Sequence, residues 1–175
     1  MAGEVALRAL AVDDLPAYKA LRDETLARHP EAFTSDAATE QARAPSAYLP
    51  RLGLDRPDGG QFTLGAWRDG RLVGAVTCER EARMKVRHIG HLTGMMVRAE
   101  ARGAGIGRRL LDACIAEARR ARGIELLTLS VTSTNEPAVR LYETAGFRRY
   151  GRLPHALKVG RAYHDKDLMM LALGN

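Results

Sequence analysis

The segment Arg102-Gly103-Ala104-Gly105-Ile106-Gly107-Arg108 sets three glycines between two arginines, where an apolar stretch ends and a helical periodicity begins. Residues without a Cβ let an anion approach the main chain closely. The first N–H groups of a helix have no intrahelical acceptor, and the helix dipole favours negative charge beside them. Arg102 and Arg108 add positive charge, so the chemistry suits a pyrophosphate. The G-x-G-x-G spacing is not the G-x-G-x-x-G of dinucleotide folds, and no Gly-Lys-Ser/Thr follows as a P-loop requires. The strand ahead of the turn belongs to a meander, whereas a dinucleotide fold places its motif near the first strand. Taken alone, the turn also admits a second reading, a glycine-rich bend that merely packs tightly.

A strand and a helix must hold such a turn, and the sequence supplies both. Val86–Val97 reads as a long irregular strand in which Gly90 and Gly94 signal a bulge or a close backbone approach. A helix runs from about Gly105 to Arg122, with Ile106, Leu110, Leu111, Cys114, Ile115 and Ala118 on one apolar face and Gly123 as its stop. Leu127, Leu129 and Val131 alternate with polar residues and predict a strand. Asn135 caps a short helix with Pro137 in its first turn, turning Ala138, Leu141, Tyr142 and Ala145 inward and stopping at Gly146.

Ahead of these lie a strand at Val5–Leu10 and a helix from Asp13-Asp14 to Arg28, ended by His29-Pro30. A less regular helical stretch from Ser35 to Leu54 is interrupted by Pro45 and Pro50. Strands at Phe62–Trp67 and Arg71–Glu81 meet at an Asp69-Gly70 hairpin, and strands at Phe147–Val159 and Ala162–Leu173 turn at Gly160. The order predicts one α/β domain over residues 1–175, with a mixed sheet of about seven strands, helices on both faces and a parallel pair formed by a strand–helix–strand crossover.

Composition bounds the function. The 175 residues suffice for one domain with a substantial core, and 46% of them are hydrophobic. A net charge of +6 favours anionic partners without naming one. Aromatics are 5% of the chain, few for base stacking, so a nucleic-acid-binding role ranks last. Cys78 and Cys114 form no CxxC pair and lie near no His at ligand spacing, so no metal site is expected, and Cys114 falls on the apolar helix face. The N-terminus lacks a signal-peptide pattern and no run approaches a membrane span, so the expected setting is cytoplasmic, without a membrane partner.

About thirty residues past the glycine turn, Asn135-Glu136-Pro137-Ala138-Val139-Arg140-Leu141-Tyr142-Glu143-Thr144-Ala145-Gly146-Phe147 has the form N-x-x-A-x-x-L-Y-x-x-x-G-F. The two segments, in this order and spacing, resemble the GNAT acetyltransferase superfamily, and the predicted element order matches that fold. The resemblance is weakest from Ala32 to Gly60. It implies an N-acetyltransferase that moves the acetyl group of acetyl-CoA to a primary amine by direct attack in a ternary complex, on a small molecule or a protein. The alternative is a GNAT domain that binds acetyl-CoA as a sensor without turnover. A homodimer is implied by resemblance only.

The resemblance also implies roles for single residues. Met95, Met96 and Val97 would pair their backbone with the pantetheine arm like an added strand. Arg102, Gly103, Ala104, Gly105, Ile106, Gly107 and Arg108 would grip the pyrophosphate. Asn135 would bond the pantetheine or cap its helix, with Ala138 beside it. Tyr142 would protonate the leaving thiolate, though without the resemblance it reads as a packing tyrosine. A backbone N–H near Met96 would stabilise charge developing on the acetyl oxygen. Many members carry a Glu as base in the strand before the glycine turn or in the next strand. Here those positions hold His91 and about Ser130. An imidazole suits a base at neutral pH, so His91 is a candidate to deprotonate the amine directly or through water; a polar strand residue satisfied by a neighbour fits equally. His88 falls on the opposite face by alternation. Glu31 and Phe33, and His164 and Asp165 with His155 and Tyr163 nearby, could border the acceptor site.

Overall fold

The period-2 and period-3.6 patterns resolve into one seven-stranded sheet in the computed structural model, which describes residues 3–174. The strands are β1 (Val5–Ala9), β2 (Phe62–Arg68), β3 (Arg71–Arg80), β4 (Ile89–Val97), β5 (Leu126–Thr132), β6 (Arg148–Val159) and β7 (Ala162–Ala172). Their order across the sheet is β1-β2-β3-β4-β5-β7-β6. Neighbours are antiparallel except β4 and β5, which run parallel as the strand–helix–strand unit requires. The helices are α1 (Leu15–Arg28), α2 (Ala37–Gln41), α3 (Ile106–Arg120) and α4 (Glu136–Thr144).

Two apolar clusters sit on opposite faces of the sheet. On one, Ile106, Leu110, Leu111 and Cys114 of α3 pack with Val73, Val76 and Cys78 of β3. On the other, Leu15, Tyr18 and Leu21 of α1 pack with Leu72, Ala75 and Met96. Both faces of β3 are therefore buried, and each large aliphatic side chain so buried contributes about 1.5–3 kcal/mol. Cys114 is buried on α3 as its position in the stripe predicts.

Two element ends and one stretch differ from expectation by more than a single residue. β4 starts at Ile89 because Met84–Val86 forms a 3-10 turn. The Arg80 guanidinium fixes that turn: it donates to the carbonyls of Arg87, Asp58, Gly59 and Arg122. α3 ends at Arg120 because Ala121 is extended, and the Arg122 N–H donates instead to the Asp58 carbonyl at 3.1 Å. The Ser35–Leu54 stretch becomes α2 followed by a 3-10 segment, Pro45–Leu52, whose Tyr48 and Leu52 are buried.

That irregular stretch is tied to α1 by a buried polar network. Arg22 donates to Glu40 Oε2 at 3.0 Å, and the Tyr48 hydroxyl donates to the same oxygen at 2.6 Å. The Arg22 and Glu40 side chains are 4% and 6% exposed. Burial opposes ionisation of Glu40, but the hydrogen bonds from Tyr48 and Arg22 outweigh it and hold the carboxyl below its usual range. Removing one partner strands the other charge, so Glu40→Ala should lower unfolding free energy by about 3 kcal/mol in urea titration. A carboxyl depressed in the folded state stabilises above its unfolded pKa of about 4.3 and loses that contribution as pH falls through its lowered value. The stability gap between wild type and Glu40→Gln should therefore close below about pH 4.

Candidate active site

β4 and β5 pair over only three rungs, Ile89–Leu126, Gly90–Leu127 and His91–Thr128. Both strands then continue, β4 to Val97 and β5 to Thr132, without further pairing to each other. The parting coincides with a bulge in β4: Ala75 pairs with Met96 and Thr77 with Thr93, so Gly94 and Met95 oppose Val76 alone. Gly94 has φ +58°, and a Cβ there would lie 3.2 Å from Arg51 Nη1 and 3.5 Å from the Tyr18 hydroxyl. The conformation favours glycine, and the space beside it is tight.

Two cavities fill the opening. One, of about 530 Å³, runs from Met95, Met96 and Val97 past Arg102 to Thr134, Pro137 and Leu141. The second, of about 290 Å³, lies towards Glu79, Thr93, Ser130 and Tyr142. Ala32, Phe33, Met95, Asn135 and Ala138 line both.

The glycine turn follows directly on Arg102, which lines the larger cavity. Gly103 and Gly105 have φ +77° and +70°, and a Cβ on either would meet nothing within 4 Å. These glycines answer to backbone conformation and open space, not to tight packing. The first helical bond of α3 runs from the Arg109 N–H to the Gly105 carbonyl, which leaves the N–H groups of Ile106, Gly107 and Arg108 without intrahelical acceptors. Arg102 donates from Nη2 to His29 Nε2 at 2.9 Å at the cavity wall. The Arg108 guanidinium turns along α3 to Asp112, 2.9 Å away, and to Thr144, while its main-chain N–H stays among the free ones of the first turn. That i,i+4 carboxylate is close enough to hold the charge away from the turn.

Asn135 caps α4, its Oδ1 accepting from the Ala138 N–H at 3.3 Å, and its amide also borders both cavities. Tyr142 is 7% exposed, stacks edge-on against Phe147 and lines the smaller cavity. Burial, reinforced by Cys114, raises the pKa of its hydroxyl. The group therefore stays protonated at neutral pH, and among the described residues no protein atom accepts its proton.

His91 is placed less favourably for base chemistry. Its Nε2 lies 3.1 Å from Glu81 and its Nδ1 2.5 Å from the Thr128 hydroxyl. An ionised carboxylate only accepts, so in the Glu81 contact Nε2 is the donor. In the neutral ring Nδ1 then accepts from Thr128, and the lone pair a base needs is engaged. His91 lines neither cavity, but its cross-strand partner Glu79 does. Glu79 accepts from the Thr93 hydroxyl at 3.1 Å and lies 3.7 Å from Arg51. Reading along β4 alone could not find it; pairing β3 with β4 rung by rung would.

Of the residues expected at the acceptor border, Phe33 lines both cavities and Glu31 the larger one, where its carbonyl accepts from the Thr132 hydroxyl at 2.6 Å. His164 and Asp165 line neither. A bulge in β6 between Leu153 and Leu157 puts His155 at φ +53°, and Asp165 spends its carboxylate on the His155 N–H at 2.9 Å. Lys166, one residue on, lines the smaller cavity. His88 precedes β4, and its carbonyl accepts from Glu125 and Leu126. Among the described residues no group of three or more His, Cys, Asp or Glu could hold a metal ion, and no helix is long and apolar enough to cross a membrane.

The acetyltransferase (GNAT) family model matches residues 18–147. The mycothiol acetyltransferase of Salinispora tropica is 33% identical over 145 residues, 83% of this chain and 44% of that protein. N-alpha-acetyltransferase 30 of Schizosaccharomyces pombe is 31% identical over 93 residues, 53% of this chain and 61% of that protein. The chain thus spans about half the length of the curated relatives it matches, at 44% and 61%. An acetyltransferase of the GNAT family from Streptococcus pneumoniae superposes with TM-score 0.83 at 26% identity, covering 98% of this chain and 100% of that one. A putative acetyltransferase from Salmonella typhimurium, solved with its cofactor acetyl-CoA, shares the fold with TM-score 0.81 at 22% identity, over 99% and 96% of the two chains. With the family model spanning both the glycine turn and the Asn135–Phe147 segment, this chain belongs to the GNAT acetyltransferase family.

Proposed function

We propose that the protein is an N-acetyltransferase that transfers the acetyl group of acetyl-CoA to an amine. The observation that carries this reading is the parting of β4 from β5, where two cavities that share five lining residues lie between Arg102 and Tyr142. The two cavities suit acetyl-CoA: free helix N–H groups and open glycines beside Arg102 for a pyrophosphate, and, for an amide-bearing arm, the side of Met95, Met96 and Val97 that no longer pairs with β5.

Acetyl-CoA supplies a thioester carbonyl open to attack by a neutral amine. The residues around it then have separable tasks. Glu79 takes the proton that the attacking nitrogen sheds, directly or through water; Thr93 and Arg51 hold the carboxylate in place. A backbone N–H in the Gly94–Met95 bulge donates to the acetyl oxygen as charge develops there. The Tyr142 hydroxyl, kept protonated by burial, gives its proton to the departing sulfur. His91, fixed between Thr128 and Glu81, supports the same rung of the sheet from outside the cavities.

Calorimetric titration of acetyl-CoA tests the first requirement. Wild type should bind, and Gly105→Glu, which sets a carboxylate where the pyrophosphate belongs, should lose binding while its melting curve still shows a folded protein. Binding by both would remove the turn from the site. The assignment of proton carriers is tested by initial rates across pH 6 to 9: Glu79→Gln and Tyr142→Phe should each lower kcat by about 10²-fold, whereas His91→Ala should stay within a few-fold of wild type. A large loss in His91→Ala with a small one in Glu79→Gln would reverse the assignment of the base. Tight acetyl-CoA binding without transfer to any amine would favour a sensor.

A further inference from the structure

The smaller cavity has a charge composition that restricts what can occupy it. Its lining includes three cations, Arg22, Arg51 and Lys166, and one carboxylate, Glu79. Arg22 is already paired with Glu40 in the buried network. Arg51 donates to the Tyr18 hydroxyl at 3.0 Å and sits 3.7 Å from Glu79, short of a direct hydrogen bond to it. Lys166 is less satisfied still. Its Nζ donates to the Thr34 hydroxyl at 2.7 Å, and among the described residues no carboxylate lies within 4.0 Å of it.

The acids beside Lys166 in sequence are committed elsewhere. Asp165 takes the His155 N–H, and Asp167 takes Arg152 at 2.7 Å and the Ser133 hydroxyl at 3.0 Å. Desolvation lowers the pKa of Lys166, the direction expected for a cation removed from water without a counter-ion. An ammonium has three donors, and the protein uses one. An anion in the cavity would fill the remaining positions and offset the desolvation. A volume of about 290 Å³ stands at the low end for ligand pockets, which fits a small molecule.

Building on the transferase reading above, we propose that the acceptor is a small amine that also carries a carboxylate, of the amino-acid type. Lys166 and Arg51 hold the carboxylate, and Glu79 faces the amine. The same lining works against polycations: a polyamine or an aminoglycoside would bring several positive charges against Arg51 and Lys166 with Glu79 alone to receive them.

The experiment compares matched acceptors on the full chain. Free α-amino acids, their carboxamides and spermidine are assayed with acetyl-CoA by thiol release, and acetyl-CoA binding is measured separately by calorimetry. At least one free amino acid should exceed its carboxamide by tenfold or more in kcat/KM. Lys166→Met should abolish that preference by lowering turnover of the acid alone, and Lys166→Arg should restore part of it; melting curves confirm that both variants are folded. Equal use of acid and amide, preference for spermidine, or no turnover of any free amino acid by a protein that binds acetyl-CoA would each overturn the proposal while leaving the cofactor site intact. Failure of wild type to bind acetyl-CoA would instead defeat the transferase reading, and this proposal with it.

Discussion

Everything at the site depends on two parallel strands that stop pairing. After His91 and Thr128, β4 and β5 separate, and their backbone groups face a gap instead of each other. A buried strand that gives up its ladder leaves polar groups needing partners. The fold concentrates that deficit where an extended, amide-bearing molecule can meet it. The Gly94 bulge belongs to the same event, because the extra residue in β4 bends it away from β5 just past their last shared rung. α3 then carries the chain from the end of one parting strand to the start of the other, and its free N-terminus lies beside the mouth of the gap.

Local chemistry and the element order of a seven-stranded mixed sheet were legible in the sequence; which side chains meet across strands was not. The glycines of the turn, the Asn135 cap and the apolar stripe of α3 each declare themselves within a dozen residues, and all appear where their spacing puts them. The bulge, too, was marked by Gly94. The acceptor side behaved differently. Glu79 matters because β3 lies beside β4, and Lys166 because β7 lies beside β5 with Lys166 opposite Thr132. Neither relation leaves a trace in residue spacing along one strand. His91 drew attention as a type suited to acid–base work and Asp165 as a border of the acceptor site, but neighbours several residues to dozens of residues away, Glu81, Thr128 and His155, had already engaged them.

The net charge of +6 looks different once its carriers are located. Much of it serves structure. Arg80 joins four loop carbonyls, Arg22 crosses from α1 to Glu40, and Arg152 binds Asp167 between β6 and β7. Guanidinium suits this work because its planar fork reaches several acceptors at once. Arg102 lines the larger cavity, and Arg51 and Lys166 line the smaller.

The short connection around Ala32 and Phe33 is a wall with a cavity on each side. Two hydrogen bonds moor it to the sheet: Thr132 to the Glu31 carbonyl on β5, and Lys166 to the Thr34 hydroxyl on β7. A partition shared by two compartments cannot shift for one occupant without being felt by the other, and the resulting coupling must be reciprocal. Occupants of the two cavities would therefore press on the same few residues of loop, and the side chain that moors one end of that loop, Lys166, lines the smaller cavity.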